Sequence, residues 1–122
     1  MSAKDVVEKF LAKWNENDID GAVDMLSEDV FYHNVPMEPV NGREAARQLL
    51  KGFGEIEDID WETTAIAENG DLVLTERTDR FTFKGGRKLE LPLMGIFKVK
   101  NGEIVEWKDY FDMADFQKQM AG

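Results

Sequence analysis

A chain of 122 residues bounds one domain, 1–122, with room for a real core but not for two. Its 43% hydrophobic and 33% charged residues describe a soluble globule, and a net charge of −10 argues against nucleic acid or anionic membrane partners. The absence of cysteine and a single histidine, His33, exclude disulfides, thiolate chemistry and any Cys-ligated or multi-His metal site.

Along the chain, Met1-Ser2-Ala3-Lys4-Asp5 lacks the apolar stretch of a leader, and no run approaches a membrane span, so a cytoplasmic protein is expected. Ser2 and Asp5 form a capping box for a first helix carrying Val6, Val7, Phe10, Leu11 and Trp14 at helical spacing. Asn17-Asp18 ends it, and Asp18 caps a second helix through Leu26. Val30–Asn34 reads as a short strand, and Pro36 and Pro39 make the next stretch irregular. Asn41-Gly42 opens a third helix to about Lys51, with Ala45, Leu49 and Leu50 as its expected buried side.

From Ile56 onward the chain reads as strands, closed by a short amphipathic helix from Met113 to Met120. Three segments divide the strands: Glu68-Asn69-Gly70, Lys84-Gly85-Gly86 and Lys100-Asn101-Gly102. Each places Gly third, as in three-residue hairpins. Residues 67 and 71, 83 and 87, and 99 and 103 then flank the loops. That register sets Trp61, Arg77, Leu93 and Asp109 in one cross-strand row, with Asp79 beside Leu91. Helices followed by a long meander give an α+β cone: helices packed into a strongly curved, mostly antiparallel mixed sheet, with an internal apolar pocket.

One face of the meander carries Phe81, Phe83, Leu89, Leu91, Leu93, Phe97, Val105, Trp107 and Phe111. Arg77, Asp79 and Asp109 share that face, whereas the opposite face is mostly polar. Buried ionisable groups are costly unless paired, so this trio points to chemistry. Arg77 can bridge two carboxylates that compete for one positive charge, which couples their titrations and retains a proton near neutral pH. One carboxylic acid and one carboxylate are what concerted acid–base catalysis needs. The competing reading is an ion cluster that only ties strands together. Tyr32 and Asn34 share a face and carry polar tips that could hold a water, or serve as ordinary strand-end hydrogen bonders. His33 alternates with them and is expected at the surface. The acidic Glu57, Asp58 and Asp60 read as a solvated strand start.

Tyr32-His33-Asn34-Val35-Pro36, Pro39-Val40-Asn41-Gly42-Arg43, Thr75-Glu76-Arg77-Thr78-Asp79, Gly95-Ile96-Phe97 and Trp107-Lys108-Asp109-Tyr110-Phe111-Asp112 occur in that order. Together they make the chain resemble the limonene-1,2-epoxide hydrolase family, whose cystatin-like cone is shared with nuclear transport factor 2, ketosteroid isomerase and related polyketide cyclases of the SnoaL-like group. The resemblance implies one-step hydrolysis of a small apolar epoxide to a vicinal diol, with no cofactor and no metal. It implies Asp109 as general base on a water also held by Tyr32 and Asn34, Asp79 as acid on the epoxide oxygen, and Arg77 bridging the two. Phe53, Phe81, Leu91, Leu93, Phe111 and Phe116 map to the substrate pocket. Gly54 and Glu57 stand where bulky apolar pocket residues are expected, which implies a wider or more polar pocket. A homodimer through the outer sheet, over Met94, Ile96, Ile104 and Tyr110, is also implied. Alternatives are an isomerase or cyclase, with one Asp removing a proton beside a carbonyl, and a non-catalytic cone binding a small ligand.

Overall fold

In a computed structural model, which describes residues 1–121, ten elements follow one another. They are α1 (Ala3–Asn15), α2 (Ile19–Val23), β1 (Leu26–Val35), β2 (Val40–Asn41), α3 (Arg43–Lys51), β3 (Ile56–Asn69), β4 (Leu72–Phe83), β5 (Lys88–Lys100), β6 (Glu103–Phe111) and α4 (Met113–Ala121). The strands form one sheet in the order β2-β1-β6-β5-β4-β3, antiparallel except where β1 runs parallel to β6.

The capping box of α1 is present: the Ser2 hydroxyl accepts from the Asp5 N–H at 3.1 Å, and the Asp5 carboxylate accepts from the Ser2 N–H at 3.2 Å. Those two bonds satisfy N–H groups that the first turn leaves unpaired. Val6, Val7, Phe10, Leu11 and Trp14 are buried against the sheet, as their spacing requires. Asp18 caps α2 through the Gly21 N–H at 2.9 Å. α2 is shorter than expected and ends at Val23, because Leu26 already belongs to β1. In α3 the buried residues are Ala46 and Leu50, four apart, while Ala45 is exposed and Leu49 half-buried. Arg47 sets that rotation by reaching Asp20 at 2.5 Å and Asp24 at 2.7 Å on the neighbouring segment.

Two of the three hairpins depart from the expected loops. Asn69 pairs with Leu72 and Lys100 with Glu103, so each loop has two residues rather than three. Asn101 and Gly102 both have positive φ, 52° and 77°, which is the primed turn that Asn-Gly favours. Each short loop is accompanied by a bulge, at Thr64 in β3 before the first and at Val105 in β6 after the second. A loop that is one residue off turns a strand's side chains to the wrong face, and a one-residue bulge turns them back. The register is therefore displaced by two beyond each bulge: Trp61 faces Asp79 and Asp109 faces Gly95, not Arg77 and Leu93 as in the expected row. Arg77 opposite Leu93 and Asp79 opposite Leu91 stand as read. The bulge also exchanges two apolar residues, since Ile104 is fully buried in the core and Val105 is only half-buried.

Candidate active site

Arg77, Asp79 and Asp109 meet on the inner face, 1%, 3% and 4% exposed. The Arg77 guanidinium grips Asp79 with both prongs, Nε to Oδ1 at 3.1 Å and Nη2 to Oδ2 at 3.0 Å. The same Nη2 donates to Asp109 Oδ2 at 3.0 Å, and Nη1 donates to the Thr75 hydroxyl at 3.0 Å. The Thr75 hydroxyl in turn donates to the Gly95 carbonyl at 3.2 Å. The cation is sandwiched by aromatic rings, 5.1 Å from the Trp61 centroid and 5.7 Å from Phe97. Its fork satisfies two carboxylates and one hydroxyl without water, which suits arginine and not lysine.

The second oxygen of Asp109 has a donor of its own, the Trp107 indole N–H at 3.0 Å. Across the parallel ladder, Tyr32 pairs with Trp107 and Asn34 with Asp109. The Asn34 amide donates to the Tyr32 hydroxyl at 2.8 Å. That leaves the Tyr32 O–H to donate and the Asn34 carbonyl oxygen to accept, both beside Asp109. Burial, with the Asp109 charge adding to it, raises the Tyr32 pKa and keeps the phenol protonated. Burial pushes the Asp79 carboxyl up to about 6, against the lowering by Arg77. Burial opposes the charge on Arg77, but Asp109 and Asp79 more than offset it and hold the guanidinium protonated.

A cavity of about 70 Å³ opens above the two carboxylates. A single water occupies only about 10–15 Å³, so the cavity has room for more than one water-sized group. Tyr32, Asn34, Asp79 and Asp109 are its polar groups, besides two indoles and a third from Trp107; all else is apolar. Phe53, Phe81, Leu91, Leu93, Phe111 and Phe116 all line it. Arg77 lies behind the carboxylates, not on the wall. Several lining residues were not foreseen: Trp14 and Leu50 from helices, Ile56, Trp61, Phe83 and Leu89 from strands, Met120 from α4, and Met37 from the proline-rich stretch. The helix and strand residues carried a signal, since they sit on the apolar faces; Met37, in an irregular segment, carried none.

Glu57 does not make the pocket more polar. It is the extra residue of a bulge between Ile56 and Asp58 and is exposed. Phe83 closes the wall beside Gly54, its ring 3.6 Å from where a Cβ would stand. His33 points away from the cavity, and its ring nitrogen Nε2 is 2.7 Å from the Met37 carbonyl. Among the described residues, no group of three His, Asp or Glu is placed to hold a metal ion, and no helix is long and apolar enough to cross a membrane.

Comparison with known proteins bears on the family and the fold. Residues 1–122 match the family described as limonene-1,2-epoxide hydrolase (LEH) catalytic domain. The chain is 32% identical over 112 residues to epoxide hydrolase EphG of Mycobacterium tuberculosis (strain ATCC 25618 / H37Rv), covering 92% of this chain and 74% of that protein. It superposes on the structure of an LEH-like epoxide hydrolase of M. tuberculosis with a TM-score of 0.83 and 31% identity, covering 98% of this chain and 89% of that one. A putative SnoaL-like polyketide cyclase from Shewanella putrefaciens CN-32 superposes with a TM-score of 0.84 at 15% identity, covering 98% and 96%, which bears on the cone fold alone.

Proposed function

The chain belongs to the limonene-1,2-epoxide hydrolase family, and from that premise we propose that it acts as a single catalytic domain adding water to a small apolar epoxide in one step. The observation that carries this reading is a pair of buried carboxylates sharing one arginine at the floor of an apolar cavity. Asp109 is the base. A water held between it, the Tyr32 hydroxyl and the Asn34 carbonyl oxygen gives up a proton to the carboxylate as its oxygen bonds to an epoxide carbon. Asp79 is the acid, whose proton passes to the epoxide oxygen as the C–O bond breaks. Its raised pKa supports that role, because the proton must still be there at working pH. The product is a vicinal diol, and Asp79 and Asp109 end with their protonation exchanged. Arg77 stays charged throughout and screens each carboxylate from the other.

Turnover of cyclohexene oxide and limonene oxide in ¹⁸O-water tests this. The first turnover should already place the solvent label in the diol. A first-turnover diol without label would show a covalent ester on an aspartate, and recovery of an isomer with no water added would show an isomerase.

We also propose a homodimer through the outer sheet face. Leu74, Met94 and Tyr110 are 41%, 51% and 48% exposed there, and Leu74 pairs with the half-buried Ile96. Ile104 takes no part, being in the core. Such a patch is costly to leave in water. Sedimentation equilibrium should give twice the chain mass, and Met94→Glu should give one chain mass with the fold retained; a parent that sediments as a single chain sinks the idea.

A further inference from the structure

We infer that Trp107 is a positioning residue for the base: it holds one oxygen of Asp109 and carries the ring of Tyr32, and so sets the water site from both sides. This rests on the hydration reading above. Three observations support it. The indole N–H takes Asp109 Oδ1 while Arg77 takes Oδ2, so the carboxylate is pinned at both ends by different side chains. The indole also stacks on Tyr32, with centroids 4.3 Å apart and planes 21° from parallel. Finally the indole cannot move: it is 1% exposed, stacked with Phe97 at 5.9 Å and met edge-on by Phe10 at 5.0 Å.

The two aspartates are thereby made different. Both oxygens of Asp79 are held by the cation, whereas Asp109 has one charged donor and one neutral one. A neutral donor fixes direction without adding a second full positive charge, which would make the carboxylate a poorer base. Deleting that N–H leaves Oδ1 without a protein partner and frees the carboxylate to turn about its last bond. The charged and titratable groups that face Asp109 are Arg77 and Asp79 of β4 and Tyr32 of β1.

The protein offers a clean test. It has three tryptophans, and the indole N–H groups of Trp14 and Trp61 are buried with no acceptor among the described residues. Replacing all three by the isosteric benzothienylalanine, in which sulfur stands for N–H, thus deletes a single hydrogen bond, the one to Asp109. Trp107→Phe, with a smaller ring in a full site, serves as a second variant. With an epoxide that the parent hydrates, the analogue protein should lose about 10–100-fold in kcat with KM within about threefold. Unchanged kcat against an active parent overturns the role of Trp107. A parent that hydrates no epoxide sinks the hydration reading itself. In ¹⁵N spectra the indole signal lost in Trp107→Phe should move in Asp109→Asn while the other two stay; if it does not move, the hydrogen bond is absent in solution.

Discussion

Asp109→Asn and Asp79→Asn should each lower kcat for epoxide hydration by roughly a thousandfold or more, near the upper part of the range for a single acid or base. The double variant should lose little beyond the worse single one, because neither proton transfer helps once its counterpart is gone. Asn is close to Asp in shape, so the Arg77 network keeps most of its geometry and the loss falls on the chemistry. The pH dependence separates the two roles. If Asp79 is the acid, activity requires it protonated, so kcat/KM falls as pH rises through about 6. Steady-state profiles from pH 4 to 9 check this, and a kcat/KM still rising above pH 7 would put the acid elsewhere.

Stability should run the opposite way to activity at the same position. The folded pKa of Asp79 is raised above its ordinary 3.8 to about 6. The folded state therefore binds a proton that the unfolded chain has released. Its contribution to stability is fully present below about pH 4 and is lost as pH rises through about 6. Such a shift corresponds to about 3 kcal/mol at most. Asn has no proton to lose. Asp79→Asn should thus gain on the parent by up to that amount between pH 4 and pH 7.5 in urea melts. A stability difference that is flat across this window would mean Asp79 does not carry the raised pKa.

Much of this was legible in the chain. Alternation with a period of two depends on the strand alone, so the inner face, with Arg77, Asp79 and Asp109 on it, could be read without knowing any loop. Exact pairing could not, because it depends on bulges, and neither Thr64 nor Val105 is marked by its residue type. Two of the three loops are one residue shorter than a Gly-third pattern implies, and Asn101-Gly102 is itself the signature of a two-residue turn. The face survived because each bulge restores what its loop shifts. Trp107 was visible as an inner-face aromatic, but whether its N–H reaches Asp109 depends on a side-chain rotation that packing by Phe97 and Phe10 decides. Met37 reaches the cavity from a segment with no period at all, where pattern arguments have nothing to act on.

Gly95 shows a further kind of contribution, made by an absent side chain. The sequence marks it only as part of Gly95-Ile96-Phe97, and on β5 it occupies an inner-face position between Leu93 and Phe97 where an apolar residue would suit the pattern. The displaced register explains it: Gly95 lies directly between Thr75 on β4 and Asp109 on β6. A Cβ there would overlap Asp109 Oδ1, stand 2.6 Å from Arg77 Nη1 and 3.2 Å from the Thr75 hydroxyl. These atoms are ends of side chains, but Arg77 and Asp109 are pinned by their other hydrogen bonds, so none can swing away cheaply. Gly95→Ala should therefore cost about 1–3 kcal/mol of stability, as overpacking does. Displacing the Asp109 carboxylate from the indole should cost kcat about a hundredfold. Ala normally stabilises a strand relative to Gly, so a variant that is both more stable and fully active would show that Asp109 does not lie where the β5–β6 register puts it. Thermal melts and kcat on the same preparation decide the matter.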